Sequence, residues 1–206
     1  MIEKLKPGQK LLVLRYGNQI IENCIEKHIE IIDKKGYCWF GKLGLIPSKK
    51  LMDAVFSEEI PMVILYSRQG AFLCEVEEST ENKPKDGYPD YYKTELFDNY
   101  TYPSVYFKLK SINKIDMETV NDFTVISSGN KALDTLNNSM SSFIFVCYGE
   151  RTEEMIKAHK KQDNNKREKL PENDCVYRKE MLCSLKSCVN YQYECDRPAF
   201  CSKQKR

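Results

Sequence analysis

The sequence has few of the residues that most enzymes use for acid–base chemistry. Its 206 residues include only two histidines, His28 and His159. It contains no G-x-S-x-G elbow, no P-loop, no H-E-x-x-H helix and no H-x-E…P-C-x-x-C deaminase signature. These absences argue against serine hydrolases, P-loop nucleotide hydrolases, zinc proteases and zinc deaminases. We therefore predict no catalytic residues.

Long apolar runs are also missing. No run approaches the roughly 18–20 residues that a membrane span needs, and the first ten residues, MIEKLKPGQK, lack the apolar segment of a secretory signal. We therefore expect a cytoplasmic protein with no membrane partner. The nine cysteines are an odd number, which in such a chain favours reduced thiols over a disulfide scaffold.

What is present is a globular composition with an uneven distribution of charge. Hydrophobic residues make up 41% of the chain and charged residues 30%, enough to build a core. Residues 151–206 hold 14 Lys and Arg against 9 Asp and Glu, whereas residues 1–150 hold 18 against 21. A basic tail on a mildly acidic body suits contact with nucleic acid, and it also suits an ordinary solvated tail.

Residues 1–150 carry mostly strand patterns with two short helices, which predicts an α+β fold. The hairpin centred on Arg68-Gln69-Gly70 should place Gly70 in a special backbone conformation. Residues 80–103 form a long loop rich in tyrosine and proline, and loops of this length are often functional. The predicted strands are 11–16, 28–33, 37–42, 62–67, 71–77, 105–110, 123–126 and 143–148, and the predicted helices are 49–56 and 130–138.

Five segments occur along the chain in a suggestive order: GYCW at 36–39, the helix 49–56, VILYS at 63–67, VYFKLKSI at 105–112 and FTVISSG at 123–129. This order resembles the PUA-like superfamily, in particular its YTH and EVE branches, over about residues 28–148. The resemblance implies a small, strongly curved β-barrel with flanking helices. It also implies a pocket that accepts one flipped-out, often methylated base within an aromatic cage.

The resemblance also implies roles for individual residues. Trp39 matches the cage tryptophan, and Ser67 matches the serine that ends the strand beside the pocket. The second cage wall would come from the loop after strand 71–77, which here offers Tyr88, Tyr91 and Tyr92 and no tryptophan. The asparagine that usually follows the serine is replaced by Arg68-Gln69, and the "W-x-x-K" opening of the EVE branch is absent.

The chemistry of the neighbouring residues adds three candidates for base or phosphate binding. Phe40 follows Trp39 and could stack on a base, while Lys42 and Lys49 could reach a phosphate. The competing interpretation is structural. A single tryptophan in a β domain is usually a core residue, and loop tyrosines can pack on the body of their own domain.

Five cysteines crowd the end of the chain with the spacing C-x7-C-x4-C-x6-C-x5-C. Four thiolates suit tetrahedral zinc, and an iron–sulfur cluster also takes four. The predicted ligands are Cys183, Cys188, Cys195 and Cys201, with Cys175 as an alternate. Metal-free reduced thiols are the competing interpretation.

These observations predict a nucleic-acid-binding reader that accommodates a flipped base, including a methylated one, in an aromatic pocket. Two alternatives stay open: a non-catalytic protein-interaction scaffold that partners an enzyme, and an iron–sulfur or nuclease-type enzyme. The predicted organisation is a PUA-like domain at 1–150, a charged helical connector at 151–172 and a Cys-rich module at 173–206.

Overall fold

A computed structural model describes residues 2–17 and 23–157, together with two short strands at Arg178–Lys179 and Leu182–Cys183. The chain divides into two units, Met1–Met155 and Ile156–Arg206. Most of the predicted connector and the cysteines Cys175, Cys188, Cys195 and Cys201 lie outside the described residues, as does the side chain of Cys183. The metal-binding module therefore stays a prediction.

The first unit is built on an open, seven-stranded mixed sheet with the order β2-β5-β4-β3-β1-β7-β6. β1 and β3 are parallel, and every other neighbouring pair is antiparallel. The α+β class is thus confirmed. The strands are β1 (Lys10–Arg15), β2 (Cys38–Lys42), β3 (Met62–Ser67), β4 (Gly70–Thr80), β5 (Val105–Ile115), β6 (Phe123–Val125) and β7 (Phe143–Tyr148).

The α-helices that accompany the sheet among the described residues include α1 (Cys24–Lys35), α2 (Lys49–Phe56) and α3 (Ala132–Asn138). The predicted helices are confirmed, but the strand predicted at 28–33 is wrong because that segment lies inside α1. Ile25, Ile29 and Ile32 follow the helical spacing i, i+4, i+7, so they place one apolar stripe against the sheet. No helix among the described residues is long and apolar enough to span a membrane.

Both faces of the sheet are buried, which explains why its central strands are continuously apolar. In β1, Leu11 and Val13 face one core, while Leu12 and Leu14 face the other. The first core is covered by α3 and the 3₁₀ turn Met117–Asp122, and the second by α1 and α2. The parallel strands end in polar residues, Arg15 in β1 and Ser67 in β3, where the chain leaves the part of the sheet that is buried on both faces.

The hairpin between β3 and β4 differs in one detail from the prediction. Ser67 pairs directly with Gly70, so the turn consists of Arg68 and Gln69 alone. Gly70 begins β4 and is not among the described glycines with a positive φ. The predicted special conformation of Gly70 is therefore wrong. Because the turn is only two residues long, the Arg68 side chain is held next to the end of β3.

The sheet is strongly curled. β2 and β7 are separated by five strand spacings, or roughly 24 Å across a flat sheet. Nevertheless, Lys42 Nζ on β2 lies 5.2 Å from the centre of the Phe143 ring on β7. A lysine side chain cannot bridge the flat distance, so the two strands must approach each other. Register shifts between β4 and β5 near Val76 contribute, since bulges increase local bending.

Candidate functional site

Two adjoining cavities open where the parallel strands β1 and β3 end. Such carboxyl ends are frequent ligand sites in open sheets. The cavities have volumes of about 240 Å³ and about 470 Å³, and they share Arg15, Tyr16 and Gly17. We refer to the smaller as the aromatic cavity and to the larger as the hairpin cavity, because the latter is otherwise lined by Tyr66, Ser67, Arg68 and Gln69.

Aromatic rings form much of the wall of the aromatic cavity. Phe40 extends from β2. Tyr92 is the first residue of the π-helix Tyr92–Phe97, and Tyr91 precedes it. The Tyr91 and Tyr92 rings meet edge to face with centroids 5.0 Å apart. Leu96 and Leu43 complete the apolar part. The cavity is thus bordered by aromatic residues, the residue type on which planar ligands stack.

Lys42 brings a buried cation to this cavity. Lys42 is one of the lining residues, although only 4% of its surface is exposed. The ammonium group donates to the carbonyl oxygens of Leu43 at 3.0 Å and Leu45 at 2.6 Å, and it lies against the Phe143 ring. Burial lowers the pKa of Lys42 from its ordinary value of 10.5. A negatively charged ligand would offset this desolvation.

Arg15 supplies a second cation, shared by both cavities. Its guanidinium donates to the carbonyl oxygens of Leu136, Ser139 and Ser141, and it lies 5.6 Å from the centre of the Tyr66 ring. Carbonyl partners fix the orientation of the group without neutralising its charge. The arginine therefore stays available for a second, anionic partner.

No carboxylate balances these cations among the residues that line either cavity. Neither Lys42 nor Arg15 forms an ion pair within the described part of the chain. Arg68 adds a third positive charge at the hairpin cavity. Because residues 1–150 are acidic overall, with 21 Asp and Glu against 18 Lys and Arg, this positive patch is a local feature of the surface.

A buried hydrogen-bond chain positions one wall of the aromatic cavity. His28 is fully buried on α1, and burial lowers its pKa to about 4, so its ring is neutral. Nδ1 lies 2.7 Å from the Cys24 carbonyl oxygen and must donate to it, which leaves Nε2 to accept from the Tyr92 hydroxyl at 3.2 Å. The Tyr92 oxygen in turn accepts from the Gly41 amide at 2.7 Å.

Trp39 lies on the other side of β2 from Phe40. It is 9% exposed and packs in a closed cluster with Tyr92, Leu96, Phe97 and Tyr106. Its amide donates to the Gly87 carbonyl at 2.7 Å. Together with the bond from Gly41 to Tyr92, this contact satisfies donors along the free edge of β2. The long aromatic loop therefore covers a sheet edge that would otherwise be open to pairing.

The structure brings together some of the residues predicted for base binding and separates others. Phe40, Lys42, Tyr91 and Tyr92 line the aromatic cavity, and Ser67 lines the hairpin cavity. Trp39, Tyr88 and Lys49 line neither: Tyr88 packs on the closed cluster, and Lys49 is the exposed first residue of α2.

The lining residues that sequence reasoning missed include Arg15, Tyr16, Cys24 and Arg68. A usable signal existed for two of them. Arg15 is the last residue of β1 and Arg68 follows β3. Both come at the end of an apolar run, so the parallel pairing of the two strands places them at one edge of the sheet. Cys24 and Tyr16 become neighbours only through the entry of α1 beside β1.

The four cysteines described in the first unit, Cys24, Cys38, Cys74 and Cys147, are free and buried. Burial raises the pKa of Cys24 to about 11 and that of Cys38 to about 12, which disfavours the thiolate needed for nucleophilic or metal chemistry. In the described part of the chain, no group of three His, Cys, Asp or Glu side chains is placed to hold a metal ion.

Comparisons with protein-family models, with curated proteins and with solved structures found no match to this chain. The interpretation of the site therefore depends on its own geometry and charge.

Proposed function

We propose that the protein is a nucleic-acid-binding reader that takes one flipped base, in plain or methylated form, into the aromatic cavity. The observation that carries this proposal is the combination of aromatic walls with two cations, Lys42 and Arg15, and no lining carboxylate. A base that leaves its stack needs aromatic faces, and the strand that carries it needs positive charge.

The size of the cavity supports a single base. Sites for drug-sized molecules usually measure roughly 300–1,000 Å³, and the aromatic cavity holds about 240 Å³. Stacking of a base on an aromatic ring is worth roughly 1–3 kcal/mol. The rings of Phe40, Tyr91 and Tyr92 are the candidates for this contact. Trp39 is not, because it does not line the cavity.

The charge distribution supports a phosphate-bearing strand. Arg15 and Arg68 border the hairpin cavity together with Tyr16 and Ser67. Guanidinium groups match phosphate oxygens in geometry as well as charge. A strand whose base enters the aromatic cavity could thus pass its phosphates over Arg15, which borders both cavities.

The same proposal includes the PUA-like barrel and the metal-binding tail. The curl of the sheet, measured by the Lys42–Phe143 contact, supports a barrel-like body. The tail is argued from its sequence alone. Its cysteines would hold zinc or an iron–sulfur cluster, and its basic residues would add affinity that is insensitive to sequence and sensitive to salt.

Fluorescence anisotropy tests the proposal with single- and double-stranded DNA and RNA, with and without methylated adenine or cytosine, at two salt concentrations. The decisive pair of variants is Lys42→Met and Lys49→Met. Each removes one lysine charge, but only Lys42 lines the aromatic cavity. We expect Lys42→Met to weaken binding of the preferred probe about tenfold, which corresponds to ~1.4 kcal/mol, and Lys49→Met to change it less than twofold.

Two results would contradict the proposal. One is the absence of binding to every probe, which would shift the search to a protein partner. The other is equal weakening by both lysine variants, because it would show a diffuse electrostatic contact and no role for the cavity. Circular dichroism of both variants establishes that each is folded before its affinity is compared.

A further inference from the structure

An exposed tyrosine occupies a backbone position that favours glycine. Tyr100 has a φ of 53°, and Asn23 is the only other non-glycine residue with a positive φ in the described part of the chain. A side chain is disfavoured in this left-handed conformation. The Tyr100 ring gains little burial in return, since 87% of the residue's surface is exposed. The fold alone therefore gives no reason for a tyrosine here.

A second exposed ring lies close by in sequence. Tyr102 is 52% exposed and stacks on Phe97, with centroids 5.6 Å apart and planes inclined by 15°. The ammonium group of Lys83 lies 3.8 Å from the centre of the same Phe97 ring. The aromatic loop thus presents two tyrosines and one lysine at its surface. We call Lys83, Tyr100 and Tyr102 the surface platform.

The surface platform and the aromatic cavity belong to the same piece of structure. The Thr101 amide, between the two tyrosines, donates to the Leu96 carbonyl at 2.9 Å, and Leu96 lines the cavity. Pro103 packs against the α-carbon of Gly41, another lining residue, where a β-carbon would collide with it. The loop is wound as a π-helix at Tyr92–Phe97, a conformation frequent at functional sites.

We propose that the surface platform stacks the base next to the one held in the aromatic cavity. The ligand of the protein would then be a single-stranded segment of at least two nucleotides, and not a free nucleotide. This inference rests on the proposed function and adds the partner class to it. Exposed aromatic faces beside a cation are the usual means of holding single strands without reading their sequence.

The test compares binding of a fluorescein-labelled, mixed-sequence octanucleotide, as DNA and as RNA, with competition by nucleoside monophosphates. Tyr100→Gly removes the ring and relieves the backbone. We therefore expect it to raise the melting temperature or leave it unchanged while weakening octanucleotide binding by about fivefold to a hundredfold. Monophosphate binding should stay the same. Tyr100→Phe keeps the ring and should bind as the wild type does, as should Met140→Ala, which alters another exposed side chain.

The outcomes separate this inference from the proposed function. If Lys42→Met weakens octanucleotide binding and Tyr100→Gly does not, the platform is refuted and the cavity stands. If Tyr100→Gly weakens it and Lys42→Met does not, the cavity is refuted, and with it the placement of the platform beside a base held in the cavity. A wild-type protein that binds monophosphates as tightly as octanucleotides would also refute the platform. Failure of the wild-type protein to bind either kind of probe would refute both and favour a protein ligand for the exposed tyrosines.

Discussion

The two faces of β2 carry neighbouring aromatic residues with different surroundings. Trp39 points into the closed cluster beneath the aromatic loop, whereas Phe40 points towards the second core and lines the aromatic cavity. The two residues are almost equally buried, at 9% and 6% exposed. Burial therefore does not distinguish a structural aromatic residue from a candidate ligand-binding one here. The distinction comes from whether the space beside the ring is filled.

Tyr92 connects the two faces. Its ring stacks with Tyr88 at a centroid distance of 5.8 Å, within the aromatic loop, and it also lines the aromatic cavity. Its hydroxyl joins His28 on α1 to Gly41 on β2. A change that loosens the closed cluster can therefore reach the cavity through this one residue.

The largest expected effect is the loss of stability on emptying the closed cluster. Trp39→Ala should reduce the free energy of unfolding by about 3–5 kcal/mol, because it leaves a large cavity among Tyr92, Phe97 and Tyr106. Urea denaturation followed by circular dichroism measures this loss. At a temperature where the variant is folded, we expect its nucleic-acid affinity to fall by less than its stability does.

Trp39→Phe gives the matched control, since it keeps a ring and should lose less stability. The structural role assigned to Trp39 would be contradicted if Trp39→Ala remained as stable as the wild type and lost selective binding. That result would return Trp39 to the cage role that the family resemblance implies.

Local sequence patterns predicted several elements of the fold correctly. Uninterrupted apolar runs correctly located β3 and β7, and the stripe of Leu51, Met52 and Val55 located α2 with its observed bounds. The strand predicted at 28–33 was wrong because a short alternation of isoleucine with polar residues fits both a strand and a helix. The longer stripe from Ile25 to Ile32 resolves it.

The site was harder to predict for a physical reason. Because side chains alternate along a strand, the sequence places Trp39 and Phe40 on opposite faces of β2. Both faces are buried, so the hydrophobic pattern cannot show which of the two residues lies beside a cavity. That depends on the curl of the sheet, which brings Lys42 to Phe143 across five strand spacings. Such an approach is a property of the whole fold, and no local pattern encodes it.

We expect an intermediate loss of stability on removing the Tyr92 hydroxyl, which is hydrogen-bonded. The Tyr106 hydroxyl, which is also buried, provides the contrast. Tyr92→Phe leaves the Gly41 amide and His28 Nε2 without their partner and should cost about 1–3 kcal/mol of stability. The Tyr106 hydroxyl is buried and has no hydrogen-bond partner among the described residues. Tyr106→Phe should therefore be neutral or stabilising, although both residues pack in the closed cluster.

Chemical denaturation of both variants checks this contrast. Equal destabilisation would show that the ring contacts, and not the hydroxyl chain, hold Tyr92 in place. In that case His28 would lose its role in orienting the cavity wall.

The smallest expected loss of stability comes from a change designed to affect binding alone. Phe40→Leu keeps an apolar side chain of similar size and should cost less than about 1.5 kcal/mol of stability. It removes a flat ring from the aromatic cavity, so we expect base affinity to fall by about 1–3 kcal/mol. Phe107 pairs with Phe40 across β2 and β5 in the same core but does not line the cavity.

Phe107→Leu should therefore lose similar stability and keep its affinity, as measured by anisotropy with the preferred probe. Equal affinities for the two variants would place the ligand elsewhere, and the difference between Trp39 and Phe40 would then be one of packing only. A selective loss in Phe40→Leu would show instead that the open space beside one face of β2 is what separates a binding residue from its buried neighbour.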